Sequence, residues 1–248
     1  MKYYGITDKG FIRKSNQDSY VIATNESKDV LAVVADGIGG NRGGDIASRI
    51  AVSVMCEGFS SSLKFNQPNQ IHEWLRNTIS NANSQIFYYA QSHPDYQGMG
   101  TTLCALLVCE LGCWFVNIGD SRAYAWFVDG RFQQITQDHS YVNDLVRKGE
   151  MTLEEAKHSK QKNMLTNALG VWRDVRFDEF HGFSGIQGVL LCSDGLHAYV
   201  DEKVIRSILF SNSIPVAKKA RRLIEVANRV GGFDNVTAII VDLRGDDR

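Results

Sequence analysis

Four aspartates in this 248-residue chain stand at the edges of apolar, strand-like runs: Asp36 in LAVVADG, Asp120 in WFVNIGD, Asp194 in LLCSDG and Asp234 in GFDNVTAIIV. Taken singly, an Asp-Gly after a strand reads as a turn, because Asp bonds its own backbone and Gly supplies positive φ. Carboxylates at the ends of four strands that pack together would instead crowd like charges into one pocket. Such a pocket calls for cations. Hard oxygen ligands select Mg²⁺ or Mn²⁺ over zinc, and two such ions about 3.5 to 4 Å apart serve displacement at phosphorus.

Other residues are weighed against that chemistry. The glycines 37, 39, 40, 43 and 44 lie between a strand and a helix, but GIGGNRGG fits neither GxGxxG nor GxxxxGK[ST]. They read either as a close backbone approach to an ion, with the Gly37 carbonyl offered as a ligand, or as a loop needing positive φ. In RKSNQD, Arg13 offers a fork of donors matched to phosphate oxygens, with Asp18 just ahead of a strand. The six histidines form no HxxxH or HExxH pair, so His139, His158, His181 and His197 read as ordinary surface or core residues. Ser121 and Ser193 adjoin acidic residues but show no nearby base and are poor nucleophiles.

The elements that must position these residues follow from periodicity. YYGIT, SYVIA and LAVVAD read as strands. A helix follows from Asp45 as N-cap, with Ile46, Ala47, Ile50, Ala51, Val54 and Met55 at helical spacing, and a second carries Ile71, Leu75, Ile79, Ala82 and Ile86. TLCALLVC, CWFVNIG and AYAWFV are strands, and Asp129-Gly130 predicts a hairpin into RFQQIT. Between 138 and 170 the strand pattern stops; Thr152 and Glu155 have capping-box spacing before a short polar helix, an excursion from the sheet. VRFDEFH and GVLLCSDG resume the strands, helices cover 201–210 and 216–230, and VTAIIVDL closes the pattern. Strands joined by tight turns, with helices in pairs, favour antiparallel sheets covered by helices over a βαβ alternation.

Composition sets bounds. A chain of this length with 44% hydrophobic residues buries roughly 70 to 75% of its unfolded surface. No linker-like stretch interrupts it, which predicts one domain over 1–248. A net charge of −1 offers no steering towards nucleic acid or an anionic membrane. The run Lys218, Lys219, Arg221, Arg222 reads as the wet face of a helix. With no apolar h-region at the N-terminus and no membrane-length run, the expected location is the cytoplasm. The five cysteines, without a CxxC pair, read as buried thiols. The closing Arg244-Gly245-Asp246 reads as a chance match in a polar tail.

Seven segments together carry a resemblance: RKSNQD (13–18), ADGIGG (35–40), MGTTL (99–103), NIGDSRAY (117–124), ITQDHS (135–140), LLCSDGL (190–196) and DNVTAIIV (234–241). In type and order, over nearly the whole chain, they resemble the metal-dependent Ser/Thr protein phosphatases of type 2C in their compact bacterial form. The resemblance implies an α+β fold, a four-layer αββα sandwich of two antiparallel sheets flanked by helix pairs, with 138–170 as a flap. It implies two Mn²⁺ or Mg²⁺ ions, Asp36 bridging both, the Gly37 carbonyl on one, and Asp194 and Asp234 on the other. Asp18 would order water around the ions, Asp120 with Asp194 would hold a weaker third ion, Arg13 would grip the substrate phosphate, and Asn235 would orient the Asp234 loop. A hydroxide bridging the ions would attack phosphorus directly, with no phosphoenzyme. The implied substrates are phosphorylated proteins, opposite a bacterial Ser/Thr kinase, and the implied state is a monomer.

The chain also departs from that pattern. Ile38 stands where eukaryotic relatives often carry a His used as leaving-group acid, Ser159 where Pro is common and Asn167 where Arg is common. Two other readings compete: a metal-dependent phosphodiesterase or nuclease, disfavoured by the balanced charge, and an inactive module, disfavoured because Arg13, Asp18, Asp36, Asp120, Asp194 and Asp234 are all present.

Overall fold

The structure, a computed structural model, describes residues 1–38 and 43–244. Gly39 and Gly40 of the glycine-rich segment, and Gly245 and Asp246 of the closing tripeptide, lie outside the described residues.

Strands with apolar residues at every position need cover on both faces, and their period of two assigns alternate residues to different neighbours. β3 (Val30–Ile38) sends Leu31, Val33 and Ala35 into one cluster and Ala32 and Val34 into another. β5 (Leu103–Cys109) does the same with Leu103, Ala105 and Leu107 against Cys104 and Leu106. Both lie in a sheet of order β2-β3-β5-β6-β9, with β2 (Asp18–Thr24), β6 (Gly112–Ile118), β9 (Asp178–Phe180) and a two-residue β4 (Gly100–Thr101) on the end of β3. The second sheet runs β1-β11-β10-β7-β8: β1 (Lys2–Asp8), β7 (Arg122–Phe127), β8 (Phe132–Gln134), β10 (Ile186–Cys192) and β11 (Val236–Asp242). The strand pairings described are antiparallel.

Three apolar clusters define the layers. Ala47, Ala51 and Met55 of α1 (Gly44–Ser60), with Ile71, Leu75 and Ile79 of α2 (Pro68–Ser92), cover the β3–β5 sheet. Ile205 and Leu209 of α6 (Glu202–Leu209), with Ala220, Leu223 and Ala227 of α7 (Val216–Val230), cover the other. Ala32, Leu106, Phe115, Leu191 and Ile239 fill the space between the sheets. This is the expected αββα sandwich, and each fully buried Leu or Ile contributes about 1.5 to 3 kcal/mol. All five cysteines are free thiols; Cys104 and Cys192 are buried, the other three partly so.

Two local expectations are corrected. Helix α1 is capped by Gly43 (φ +95°), not Asp45, which lies in the first turn and pairs with Arg49 at 2.8 Å. The helix starts early because Gly44 packs against Gly37, where a Cβ on either would meet the other's backbone at under 3 Å. Lys219 is not on the wet face: it is 1% exposed, and its ammonium donates to the Leu209 carbonyl at the end of α6. A four-residue helix α5 (Asp194–His197) follows β10 directly. The hairpin at Gly130 (φ +83°) is present, with Gly130 N–H donating to the Phe127 carbonyl at 3.0 Å.

The excursion carries α3 (Tyr141–Arg147) and α4 (Leu153–His158), the latter with the Thr152/Glu155 capping box formed. Its stem is closed by bridges between Ser140 and Leu165 and between Thr101 and Leu169. Among the described residues no helix is long and apolar enough to cross a membrane.

Candidate active site

Strand ends carry the acidic residues to one rim of the sandwich. Asp18 opens β2 directly opposite Asp36 near the end of β3. Asp36 is fixed through its backbone: its N–H donates to Thr102 Oγ1 at 2.9 Å, and its carbonyl accepts from Thr101 Oγ1 and Thr102 N, each at 2.9 Å. Asp194 begins α5, where Gly195 packs so tightly on the Asp234 loop that a Cβ would stand 1.9 Å from the Asn235 carbonyl. Asn235 ties that loop to the N-terminal segment: its side chain accepts from Gln17 N–H at 2.8 Å and donates to the Lys9 and Ser15 carbonyls at 2.8 and 3.0 Å.

The carboxyl groups of Asp36 and Asp194 lie close enough to shift one another's titration. Arg13 donates to Asp234 Oδ2 at 2.7 Å and also feels the charges of Asp194 and Asp36. Asp120, in the bend after β6, lies within electrostatic reach of Asp194. The structure thus brings Arg13, Asp18, Asp36, Asp120, Asp194 and Asp234 into one cluster, with Gly37 beside it. Among the described residues no three such side chains already form a ready coordination group. Asp234 is instead engaged by Arg13 at 2.7 Å.

The electrostatics record that crowding. Burial first, then the neighbouring carboxylates, pushes Asp18 up to about 7, Asp120 to about 8 and Asp194 to about 6. Asp36 is driven well above the ordinary carboxylate range by burial and then by Asp18, Asp194, Asp120 and Asp234. Protons or metal cations relieve such repulsion. The donor set is all oxygen, and Asp18 Oδ1 is buried with no hydrogen-bond partner. Both features fit hard divalent cations with ordered water around them.

Several contributors were missed in the sequence. Asp18 Oδ2 accepts from Ser193 Oγ at 2.7 Å and Thr237 Oγ1 at 2.6 Å, with Thr7 behind Thr237 at 2.7 Å. Ser193, beside Asp194 in sequence, thus also donates to the Asp18 carboxylate. Yet Ser193 and Ser121 are fully buried, the latter bonded to Thr102 Oγ1 at 2.7 Å, so neither reaches a substrate. Beneath Asp120, His197 donates from Nε2 to the Asp120 carbonyl at 2.9 Å, and burial followed by the nearby Arg122 lowers its pKa to about 3. Arg122 grips Asp138 through three contacts of 2.7 to 3.1 Å. His139 accepts from Gly119 N–H at 3.2 Å and faces Asp178 at 3.1 Å. A cavity of about 710 Å³ adjoins Asp120 and Asp194, walled by α5, the start of α6 and the excursion.

Comparison with known proteins agrees on one family. A family model described as protein phosphatase 2C matches residues 13–231. The Ser/Thr phosphatase Stp of Listeria innocua is 39% identical over 237 residues, covering 95% of this chain and 93% of that protein. The protein phosphatase PhpP of Streptococcus pneumoniae is 34% identical over 246 residues, covering 98% and 97%. The crystal structure of the Ser/Thr phosphatase Stp1 from Staphylococcus aureus has a TM-score of 0.92 at 35% identity, covering 98% of this chain and 95% of that one.

Proposed function

Because the chain belongs to the protein phosphatase 2C family, it is a protein-serine/threonine phosphatase, and we propose that it hydrolyses phosphoserine and phosphothreonine monoesters at the aspartate cluster, by direct attack of water without a phosphoenzyme. The observation that carries this reading is the gathering of five buried or half-buried aspartates, four with raised pKa values, beside the Arg13 fork. Asp36, the Gly37 carbonyl, Asp194 and Asp234 would hold two Mn²⁺ or Mg²⁺ ions, and Asp120 with Asp194 a third. When bound, such ions acidify a water and neutralise charge on the phosphoryl oxygens.

The chain's own residues supply the rest. Asp18, fixed by Ser193 and Thr237 through Oδ2, keeps Oδ1 free to order water. Arg13 has a half-exposed side chain, and exchanging Asp234 for a substrate phosphate leaves its fork with a bidentate partner. Alignment of the ester against the cluster is then a matter of position, worth several kcal/mol when the geometry is held. The excursion at 138–170 serves as a flap over a single catalytic domain. The enzyme acts as a cytoplasmic monomer on phosphoproteins, opposing a bacterial Ser/Thr kinase and not nucleic acid.

Phosphate release from a phosphothreonine peptide tests this directly. Activity should require Mn²⁺ or Mg²⁺, vanish in excess EDTA and fall by orders of magnitude in Asp36→Asn. Full activity in EDTA, or faster turnover of a phosphodiester than of the monoester, would count against it.

A further inference from the structure

Two exposed phenylalanines flank Arg13. Phe11 is 70% exposed, Ile12 65% and Phe233 48%; large side chains grouped on a surface in this way mark an interaction site. They are held by backbone. The N–H groups of Phe11 and Ile12 donate to the Gly232 carbonyl at 2.8 and 3.2 Å. The Phe11 ring lies across Gly232 (φ +54°), where a Cβ would come within 2.9 Å of it. The Phe233 ring crowds Gly231 and packs on half-buried Tyr199, with centroids 5.4 Å apart. Tyr199 in turn feels the charges of Asp194, Asp234 and Arg13. The result is an apolar ledge running from Ile12 and Phe11 over Gly232 to Phe233 and Tyr199, edged by the Arg13–Asp234 pair.

The other approach to the cluster is a cavity, not an exposed apolar surface. The cavity on the flap side mixes charged residues such as Asp138, Lys157 and Glu202 with apolar ones such as Leu153 and Val200, and Tyr199 lies between it and the ledge. An extended peptide advances about 3.3 Å per residue. Phe11 and Ile12 immediately precede Arg13, and Phe233 adjoins Asp234, which Arg13 bonds at 2.7 Å, so a peptide whose phosphoryl group meets Arg13 has the ledge within one or two residues' reach. Continuity with the phosphate position identifies the occupant as part of the same substrate.

We propose that this ledge receives an apolar side chain of the phosphoprotein, one or two residues from the phosphoserine or phosphothreonine, and so selects phosphosites with apolar neighbours. The inference rests on the phosphatase reading and on Arg13 meeting the phosphate.

The test compares kcat/KM for phosphothreonine peptides carrying Leu or Ser at the flanking positions, using the wild type, Phe11→Ser and Phe11→Leu. N-acetyl phosphothreonine amide, which has no flanking side chain, is the control. The wild type should prefer the Leu peptides about 10-fold, through KM, and Phe11→Ser should reduce that to about 2-fold or less. Phe11→Leu should keep most of the preference, and turnover of the control should be unchanged in both variants. Equal wild-type turnover of the two peptides, or a preference that survives Phe11→Ser, would overturn the proposal. A concentration-dependent dimer dissolved by Phe11→Ser would do so too, by assigning the ledge to self-association. Failure of the wild type to hydrolyse even the control would remove the phosphatase reading itself, and this proposal with it.

Discussion

Stripping divalent cations should make the protein's stability fall as pH rises, the reverse of ordinary acid denaturation. Asp18 moves from an ordinary 3.8 to about 7 in the fold. A carboxyl group whose folded pKa is raised leaves the native state holding more protons than the unfolded chain. Its stabilising contribution is complete below about pH 3.8 and is lost as pH climbs through the folded value. Between about pH 5 and pH 8.5, Asp18 alone gives up about two pH units of linkage, roughly 3 kcal/mol. Asp194 and Asp120, raised to about 6 and 8, share in that loss without simply adding to it, because the groups repel one another. For a chain of this size 3 kcal/mol corresponds to a Tm drop of about 6 to 12 °C. Circular-dichroism melts in EDTA across this range are the assay, repeated with Mn²⁺ and with Asp120→Asn. The drop should shrink in Asp120→Asn and be offset by Mn²⁺ at high pH. A flat or rising Tm in EDTA, or a drop indifferent to both changes, would refute the reasoning.

Other substitutions probe the scaffold. Gly195→Ala should cost about 2 to 3 kcal/mol in urea unfolding, because its Cβ would meet the Asn235 carbonyl at 1.9 Å and one backbone must yield; an unchanged midpoint would contradict the close approach. Ser193→Ala removes a donor to Asp18 and strands the buried Thr237 N–H, now 2.9 Å from Ser193 Oγ. A loss of about 1 to 3 kcal/mol in chemical denaturation is expected. Lys219→Met keeps the aliphatic stem and loses the bond to the Leu209 carbonyl and a charge felt by both Asp242 and Arg244, so its stability in urea unfolding should fall by no more than about 1.5 kcal/mol. Lys219→Glu, which buries an acid against the Leu209 carbonyl and near Asp242, should cost considerably more.

Much of the fold was legible because the signals were local. The stripes Ile71, Leu75, Ile79 and Ala220, Leu223, Ala227 put their apolar faces where the sheets lie, and Asp129-Gly130 gave the hairpin. The gathering of the aspartates was legible because each sits at a strand edge, and strands of stacked antiparallel sheets end together. What was not legible depends on contacts between distant segments. Nothing near Asp18 announces that Ser193 and Thr237, more than 170 residues on, will hold its Oδ2. Asp45 has the right chemistry for a cap, but the contact of Gly37 with Gly44 decides where α1 begins. Lys219 looked solvated because its neighbours are, yet the carbonyls at the end of α6 need a donor exactly where α7 passes. The exposure of Phe11 and Phe233 is equally a tertiary fact, set by the Gly231–Gly232 turn.

The central claim is that acidic side chains far apart in sequence converge to hold a pair of divalent cations. Anomalous diffraction from crystals grown with Mn²⁺ tests it most directly. Two manganese peaks, with Asp36 contacting both and Asp194 and Asp234 completing one, are the predicted result. Manganese absent from the cluster, or a single ion that Asp36 does not touch, would contradict the account.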